Sequence, residues 1–245
     1  MKIYSALQIG DYHLNHNEDY LFIGEIGSDK ILCAVMDGCT MGTDSYFAST
    51  LVGKLLRKIC LEKGYRELYH PENQPNSQDD YLKSILKDLF RELITTKNQL
   101  LLERDELLTT LIILLTDQKT NTGIVLAIGD GLVHINGEIT CFDHDNKPDY
   151  VGFHLAEDFD SWYDDQKQKI LFDNIQDICI ATDGIFMFEQ LIPMENSDAV
   201  NALDYLVSDL TGTDNEDMLH LKLKKLEHRY GMKPTDDLAI IRMIK

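Results

Sequence analysis

Apolar runs that end in acidic residues are the feature that most constrains what this chain can fold into. The acidic junctions are Asn17-Glu18-Asp19, Asp37-Gly38, Gly129-Asp130-Gly131, Asp183-Gly184 and Asp236-Asp237. Carboxylate oxygens are the ligands that hard cations such as Mg²⁺ and Mn²⁺ prefer. If these strand ends converge, they form a site suited to metal-assisted hydrolysis or phosphoryl chemistry. The fold must therefore bring distant parts of the chain to one edge.

The charge of the chain narrows the class of partner. The formal net charge is −19 over 245 residues. Non-specific nucleic-acid binding depends on Lys and Arg contacts to phosphate, so this charge argues against a nucleic-acid partner. A basic or cationic partner fits the charge better.

Neither the N-terminal segment nor the cysteines indicate export. The first ten residues are followed by a polar stretch and lack the sustained apolar core of a signal peptide. No apolar run is long enough to span a bilayer. The five cysteines are scattered and form no Cys-x-x-Cys pair, which argues against a disulfide framework and a thiolate zinc site. We therefore expect a reduced, cytoplasmic protein without a membrane partner, whose oligomeric state the sequence does not indicate.

Periodicity predicts strands and helices in separate blocks. Strand-like runs cover 2–9, 20–26, 30–36, 108–116, 123–129, 132–141, 177–182 and 237–244. Helical stripes cover roughly 44–62, 77–103, 195–211 and 215–230. Thr43 is the expected cap of the first helix, and Ser77 followed by Asp80 resembles a capping box at the second. Asp130-Gly131 suits a tight hairpin, so the middle strands are expected to form an antiparallel meander.

This order predicts an α+β fold, a four-layer α/β/β/α sandwich of two antiparallel sheets flanked by helix pairs. The length suits one domain over 1–245. Residues 143–173 are acidic and aromatic without a clear period, so we expect loops over the site there. With Trp162 they are a candidate flap for a basic phosphopeptide, although a solvated acidic loop is the simpler interpretation.

Six motifs occur in an order that resembles the type 2C, metal-dependent serine/threonine protein phosphatases. The motifs are Asn-Glu-Asp, Asp-Gly, Thr-Thr-Leu, Gly-Asp-Gly, Asp-Gly-Ile and Asp-Asp-Leu. They extend over nearly the whole chain, with two helix pairs between them. The resemblance implies a signalling hydrolase of the sandwich fold, which acts on phosphorylated proteins with two Mg²⁺ or Mn²⁺ ions.

The same resemblance implies a role for each acidic junction. Asp37 resembles the carboxylate that bridges two ions and activates a water between them, and the Gly38 carbonyl resembles a ligand of one ion. Three further groups complete the implied set: Glu18 and Asp19 around the water shell of the first ion, Asp183 and Asp236 on the second ion, and Asp130 at a third, weaker site. Asp237 stands where the family commonly has Asn or Asp beside a ligand.

Three positions depart from the family pattern. Leu14 stands where an Arg usually contacts the substrate phosphate, and we expect His16, or else His13, to supply part of that contact. An imidazole is neither constantly charged nor bidentate, so the replacement is not equivalent. The sequence Asp37-Gly-Cys-Thr-Met-Gly replaces the usual Asp-Gly-His-Gly-Gly, and Met187 replaces a further Asp.

Two alternatives to an active phosphatase remain open at this stage. The departures at Leu14 and Met187 are compatible with a catalytically weak, phosphatase-like regulatory or binding module. An Asp-nucleophile phosphotransferase around Asp37 is the other alternative, but it normally needs a second Asp where this chain has Cys39.

Overall fold

A computed structural model describes residues 1–70, 75, 77–142, 149–192 and 200–245. The strands are β1 (Lys2–Gln8), β2 (Tyr20–Ile26), β3 (Lys30–Met36), β4 (Leu111–Asp117), β5 (Thr122–Ile128), β6 (Gly131–Ile135), β7 (Glu138–Phe142), β8 (Lys169–Asp173), β9 (Asp177–Ala181), β10 (Phe188–Gln190), β11 (Met232–Pro234) and β12 (Leu238–Ile244). The helices are α1 (Ser45–Tyr69), α2 (Gln78–Leu100), α3 (Phe159–Asp164), α4 (Ala202–Val207) and α5 (Met218–Tyr230).

Ten of these strands form two antiparallel sheets. The first sheet has the order β1-β12-β9-β6-β7 and the second has the order β2-β3-β4-β5-β8. The central strands β3, β4 and β5 are buried along almost their whole length. Both faces of these strands are covered, and this explains why they read as continuous apolar runs rather than alternating ones. The strands β10 and β11 form a separate two-stranded sheet.

Three apolar clusters define four layers. One cluster lies between the second sheet and helices α1 and α2, and another lies between the first sheet and helices α4 and α5. The third lies between the two sheets, where Cys33, Ile112 and Ile241 are buried together. The predicted α/β/β/α sandwich is confirmed.

The two long helices start differently. Ser77 caps α2 as predicted, because its Oγ accepts a hydrogen bond of 3.0 Å from the Asp80 N–H. The prediction that Thr43 caps α1 is wrong: the N-cap is Asp44, in a left-handed conformation with φ 53° and without a side-chain cap. Helix α1 also extends well beyond the predicted end at 62, to Tyr69, and in this part the buried Lys63 binds Asp88 of α2 at 2.9 Å.

The predicted hairpin at Asp130-Gly131 is wrong. Strand β5 belongs to the second sheet and β6 to the first, so the Gly129-Asp130 link passes from one sheet to the other. The tight hairpin lies one strand later, where Asn136 and Gly137 have φ values of 52° and 98° and connect β6 to β7. An Asn-Gly pair tolerates positive φ at both positions, and this pair splits the strand that was predicted over 132–141.

Residues 149–173 include regular structure, since α3 contacts α2 and β8 pairs with β5, so the prediction of an irregular loop is wrong for those parts. They contain α3 and β8. Trp162 is 5% exposed and its ring lies 4.7 Å from that of Phe90. Lys83 and Lys87 of α2 bind the carboxylates of Asp164 and Asp160, both at 2.7 Å. Residues 143–148 of the candidate flap lie outside the described residues.

Of the two helices predicted after β9, the first is described over a shorter range than predicted and the second agrees with the prediction. Of the predicted helix 195–211, the structure has α4 over Ala202–Val207, and 193–199 lie outside the described residues. Helix α5 lies within the predicted segment 215–230. It is followed by Gly231, whose positive φ of 67° is common at the residue that ends a helix. None of the helices in the described ranges is long and apolar enough to cross a membrane.

We predict that Trp162 stabilises the fold rather than binding substrate. Trp162→Ala should lower the free energy of unfolding by about 3–5 kcal/mol, because it leaves a cavity against α2. The double variant Asp160→Asn/Asp164→Asn removes only exposed ion pairs and should cost about 1 kcal/mol or less. Urea denaturation measures both changes. A selective loss of protein-substrate turnover in the double variant, with stability unchanged, would instead support the flap.

Candidate active site

The antiparallel register brings the acidic junctions to one rim of the sandwich. Tyr20 pairs with Met36, so Asp19 and Asp37 lie side by side at the same end of β2 and β3. In the other sheet Ala181 pairs with both Ile240 and Leu132. The start of β12, the end of β9 and the start of β6 therefore lie at one end, where Asp236, Asp183 and Asp130 are found.

Two threonines hold the main chain of Asp37. The Thr110 Oγ1 accepts a hydrogen bond of 3.0 Å from the Asp37 N–H. The Asp37 carbonyl accepts hydrogen bonds from the Thr109 Oγ1 at 2.8 Å and the Thr110 N–H at 2.9 Å. The Thr-Thr-Leu motif thus fixes the direction in which the Asp37 carboxyl leaves the strand end.

Gly38 is required by close packing. Its N–H donates to the Glu18 carbonyl at 3.2 Å. A Cβ at this position would collide with the Ser45 carbonyl and lie 2.8 Å from the Glu18 carbonyl oxygen. Any larger residue would therefore push apart the start of α1 and the Asn-Glu-Asp turn.

Asp19 and Asp37 form a carboxyl pair. Asp19 is 3% exposed, and its Oδ2 accepts a hydrogen bond of 2.6 Å from the Thr182 Oγ1. Burial raises the pKa of both carboxyls well above the usual range, and the charge of Asp183 raises both further. Bringing these like charges together is unfavourable, and a proton or a cation beside them would offset the repulsion.

Asp183 is repelled by two further carboxylates, those of Asp130 and Asp236. Burial, followed by the negative charges of Asp130 and Asp236, raises the pKa of Asp183 to about 7. The main chain beside it is tightly packed, because a Cβ on Gly184 would collide with the Asp237 carbonyl. The main chain of the Asp183-Gly184 turn is therefore held against the start of β12.

Asp237 is an anchor for the segment that leads to the Asn-Glu-Asp turn. It is 1% exposed, and its carboxylate accepts hydrogen bonds from the Gly10 N–H at 2.7 Å and the Glu18 N–H at 2.5 Å. The His13 Nδ1 lies 2.8 Å from the same carboxylate. Burial lowers the pKa of His13, but the hydrogen bond and charge of Asp237 outweigh that effect and raise it.

Glu18 points away from the carboxyl pair and holds the loop that precedes α1. Its two carboxylate oxygens accept hydrogen bonds from the Ser45 Oγ at 2.6 Å and the Thr40 Oγ1 at 2.8 Å. Thr40 belongs to the Cys-Thr-Met-Gly stretch that departs from the family pattern. The altered loop therefore contributes a hydroxyl that the Glu18 carboxylate binds.

His16 lies in a polar cavity beside the acidic rim. The cavity has a volume of about 440 Å³, and its lining includes His13, His16, Glu18 and Ser45. The His16 ring stacks against Tyr46 with 4.5 Å between ring centroids. Leu14 also lines the cavity but is 90% exposed, so this side chain neither fills the cavity nor supplies a charge.

Two residues of the site were missed by the sequence reasoning. Thr182 binds the Asp19 carboxyl, and a Thr directly before Asp183-Gly184 was the available signal. Tyr150 lies where the acidic segment meets the rim: burial, together with the neighbouring Cys39 and the charges of Asp37 and Asp130, raises its pKa. No local pattern distinguishes Tyr150 from the other aromatic residues of 143–173.

The donor set has the chemistry that a hard divalent cation requires. Asp19, Asp37 and Asp183 are carboxyls whose pKa values are raised by burial and by neighbouring negative charges, and a divalent cation among them would offset that repulsion. Across the described ranges, however, no group of three or more His, Cys, Asp and Glu side chains is already arranged as a metal site. The predicted ligands are near one another, and their coordination of metal stays a prediction.

Comparison with known families identifies one that matches most of the chain. The family described as protein phosphatase 2C matches residues 9–225. A comparison with curated protein sequences found no significant match.

Solved structures show the same fold at low sequence identity. The serine/threonine phosphatase of S. agalactiae is 15% identical with a TM-score of 0.61, and the alignment covers 100% of this chain and 99% of that one. A chain of SpoIIE from Bacillus subtilis, with the PP2C phosphatase domain and a fragment of the regulatory domain, is 18% identical with a TM-score of 0.59. This protein is covered over 98% of its length but spans only 62% of that SpoIIE chain.

A third similar structure contains a metal ion. RsbX in complex with magnesium is 14% identical with a TM-score of 0.52, and the alignment covers 97% of this chain and 92% of that one.

We predict that the metal-free protein loses stability as the pH rises from about 4 to 7. Folded Asp183 has a pKa raised to about 7 from an ordinary value of 3.8. Between these values the folded state binds more protons than the unfolded state, so the free energy of unfolding falls with increasing pH and the loss is complete above pH 7. Urea denaturation in EDTA at pH 5 and pH 8 measures the difference.

Asp183→Asn should reduce this difference, and the exposed Asp204→Asn should leave it unchanged. Adding Mn²⁺ at pH 8 should restore stability to the original protein. An equal pH dependence of stability in the original protein, Asp183→Asn and Asp204→Asn would show that repulsion around Asp183 does not cause the effect.

Proposed function

The chain belongs to the protein phosphatase 2C family, whose members are protein phosphatases, and we propose that it hydrolyses phosphoserine and phosphothreonine in proteins with two divalent cations. The observation that carries this proposal is the group of carboxyls at the rim, where Asp19 and Asp37 lie side by side at the ends of β2 and β3 and where burial and like charge raise the pKa of Asp183 to about 7. Such a group is unfavourable for the fold unless cations or protons compensate it.

The residues that would hold the ions are those at the strand ends. We propose that Asp37 bridges both ions, that the Gly38 carbonyl binds one of them, and that Asp183 and Asp236 bind the other. Asp19 and Glu18 would accept hydrogen bonds from waters of the first ion, and Asp130 would contribute to a third, weaker site. Bound Mg²⁺ or Mn²⁺ would lower the pKa of a water between the two ions and stabilise the phosphoryl oxygens.

The rest of the chain positions these carboxylates. Thr109 and Thr110 orient Asp37 through its main chain, and Thr182 orients Asp19. Asp237 binds the segment from Gly10 to Glu18 through two backbone N–H groups. The side chains are therefore held before ions arrive, which keeps the reorganisation on loading small.

The cavity around His16 is the place where we expect the substrate phosphate to be bound. It adjoins Glu18 and contains two imidazoles. An imidazole N–H can donate to a phosphate oxygen, although it offers a single donor where an Arg would offer a fork. The charge of −19 favours a substrate whose phosphorylated segment also carries basic residues.

A catalytically weak regulatory module is the second candidate. The exposure of two residues that depart from the family pattern favours it. Leu14 is 90% exposed and Met187 is 44% exposed. Neither side chain offers a group to phosphate or to a third ion. Metal binding without turnover would identify this alternative.

We predict that Asp37→Asn abolishes metal-dependent hydrolysis. The loss of one ligand charge should cost about 3 kcal/mol or more, which is at least about 100-fold in kcat/KM. The measurement is hydrolysis of an aryl phosphate and of a phosphopeptide in Mn²⁺, with circular dichroism to show that the fold is retained. Asp204→Asn is the control and should keep full activity.

Unchanged hydrolysis by folded Asp37→Asn would refute the assignment of the site. Tight calorimetric binding of Mn²⁺ by the original protein, without hydrolysis of either substrate, would support the regulatory module instead.

We also predict that His16→Gln weakens phosphopeptide binding. The loss of a hydrogen bond to a charged phosphate should raise KM about tenfold, with a smaller effect on kcat. His220 is an exposed histidine on α5, so His220→Gln is the matched control. Steady-state kinetics at pH 6 test this, and equal KM values for both variants would remove His16 from the site.

A further inference from the structure

A groove along β2 and the second half of α1 is unrelated to the acidic rim. Its volume is about 980 Å³. Asp19 lies directly before the first residue of β2, whereas the groove begins at Ile23 and extends to Ser28. Its α1 side is likewise formed by residues 60–68, far from the start of the helix at Ser45. The groove is therefore a second concave surface.

The side chains along the groove are apolar and exposed. Leu61, Tyr65 and Leu68 of α1 are between 58% and 70% exposed, and Ile23 of β2 is 37% exposed. Isolated exposed apolar residues are common, but a contiguous set around a concavity marks an interaction surface. The buried packing of α1 uses the opposite side of the helix, at Leu56 and Ile59. The four exposed side chains of the groove are therefore available to contact a partner.

The strand beside this apolar surface is an edge strand. Strand β2 is the first strand of the second sheet and pairs with β3. Within the ranges that the structure describes, no second strand pairs with its other side. An edge strand presents backbone N–H and C=O groups that can pair with an extended segment.

The charge of the groove is negative. Glu25 is exposed on β2 and lines the groove, and among the described residues it has no ion-pair partner. The other carboxylate of the groove is already bound, because Glu67 contacts the Lys30 Nζ at 2.8 Å and the Tyr81 hydroxyl at 2.6 Å. The available charge next to the apolar side chains is thus that of Glu25.

We propose that the β2 groove binds an extended, basic segment of another protein, which adds a strand to the edge of β2. Its backbone pairs with β2, the alternate side chains that face α1 are apolar and contact Leu61 and Leu68, and the intervening side chains lie on the face of Ile23 and Glu25. A Lys or Arg of the segment binds Glu25. Alternation follows from strand geometry, because successive side chains point to opposite faces. A second copy of this chain is disfavoured, since each copy carries a net charge of −19.

The test uses synthetic nine-residue peptides and the full chain. The probe alternates Ile and Lys; one comparison peptide has Glu in place of Lys, and another is N-methylated at alternate backbone nitrogens. Fluorescence anisotropy should show saturable binding of the Ile/Lys peptide with a Kd below about 100 µM. Both comparison peptides should bind at least about tenfold more weakly, because one loses the charge match and the other loses the backbone pairing.

Two variants with matched controls locate the binding. Glu25→Lys should weaken binding of the Ile/Lys peptide at least about tenfold, whereas Glu138→Lys makes the same change of charge on β7, an edge strand of the other sheet, and should leave binding within about twofold. Leu68→Ser should weaken binding, and Leu221→Ser, at an exposed position of α5, should not. Hydrolysis of an aryl phosphate should be unchanged in all four variants.

Four results would overturn the proposal. These are no saturable binding of the Ile/Lys peptide up to 1 mM, equal binding of the N-methylated peptide, equal effects of Glu25→Lys and Glu138→Lys, and a dimer in sedimentation velocity that Leu68→Ser dissociates. The last result would show that a second copy covers the groove. None of these readouts depends on catalysis.

Discussion

Repulsion between buried carboxylates is the constraint on which the rest of the structure depends. Asp19, Asp37 and Asp183 come from three separate strand ends, and each has a pKa raised by burial and by acidic neighbours. Such a group forms only where a scaffold is stiff enough to hold like charges together. Two antiparallel sheets packed face to face provide that stiffness, because β3 and β9 are each paired on both sides and β2 is paired with β3.

The polar contacts behind the carboxylates counteract the same repulsion. Thr109 and Thr110 bind the main chain of Asp37 rather than its carboxyl, so they restrain its position without consuming its ligand oxygens. Asp237 does the reverse: its carboxylate is buried and saturated by backbone N–H groups, which ties the N-terminal segment to the start of β12. Adjacent residues of one Asp-Asp pair thus have different roles, with Asp236 facing the rim.

Much of the architecture could be predicted from the sequence because strand runs and helix stripes are local properties. The positions of β2 and β3, the Ser77 cap and the four-layer order follow from periodicity and capping chemistry. The link at Asp130-Gly131 could not be read in this way, since a Gly-rich turn between two apolar runs looks alike whether the strands pair or separate. The placement of Trp162 against α2 depends on its contact with Phe90, a residue distant in the sequence. The direction of the Glu18 carboxylate depends on Thr40 and Ser45 in the same non-local way.

The passage of the chain between the sheets at Gly129-Asp130 has a mechanical consequence. Asp130 is attached to both layers at once, through β5 on one side and β6 on the other. If one layer slides over the other, Asp130 moves relative to Asp183, and the energy of bringing their charges together changes with the shift. If ions bind at the rim as proposed, their binding and the alignment of the two layers are linked: bound ions would fix the alignment, and a shift of the layers would change how firmly the ions are held.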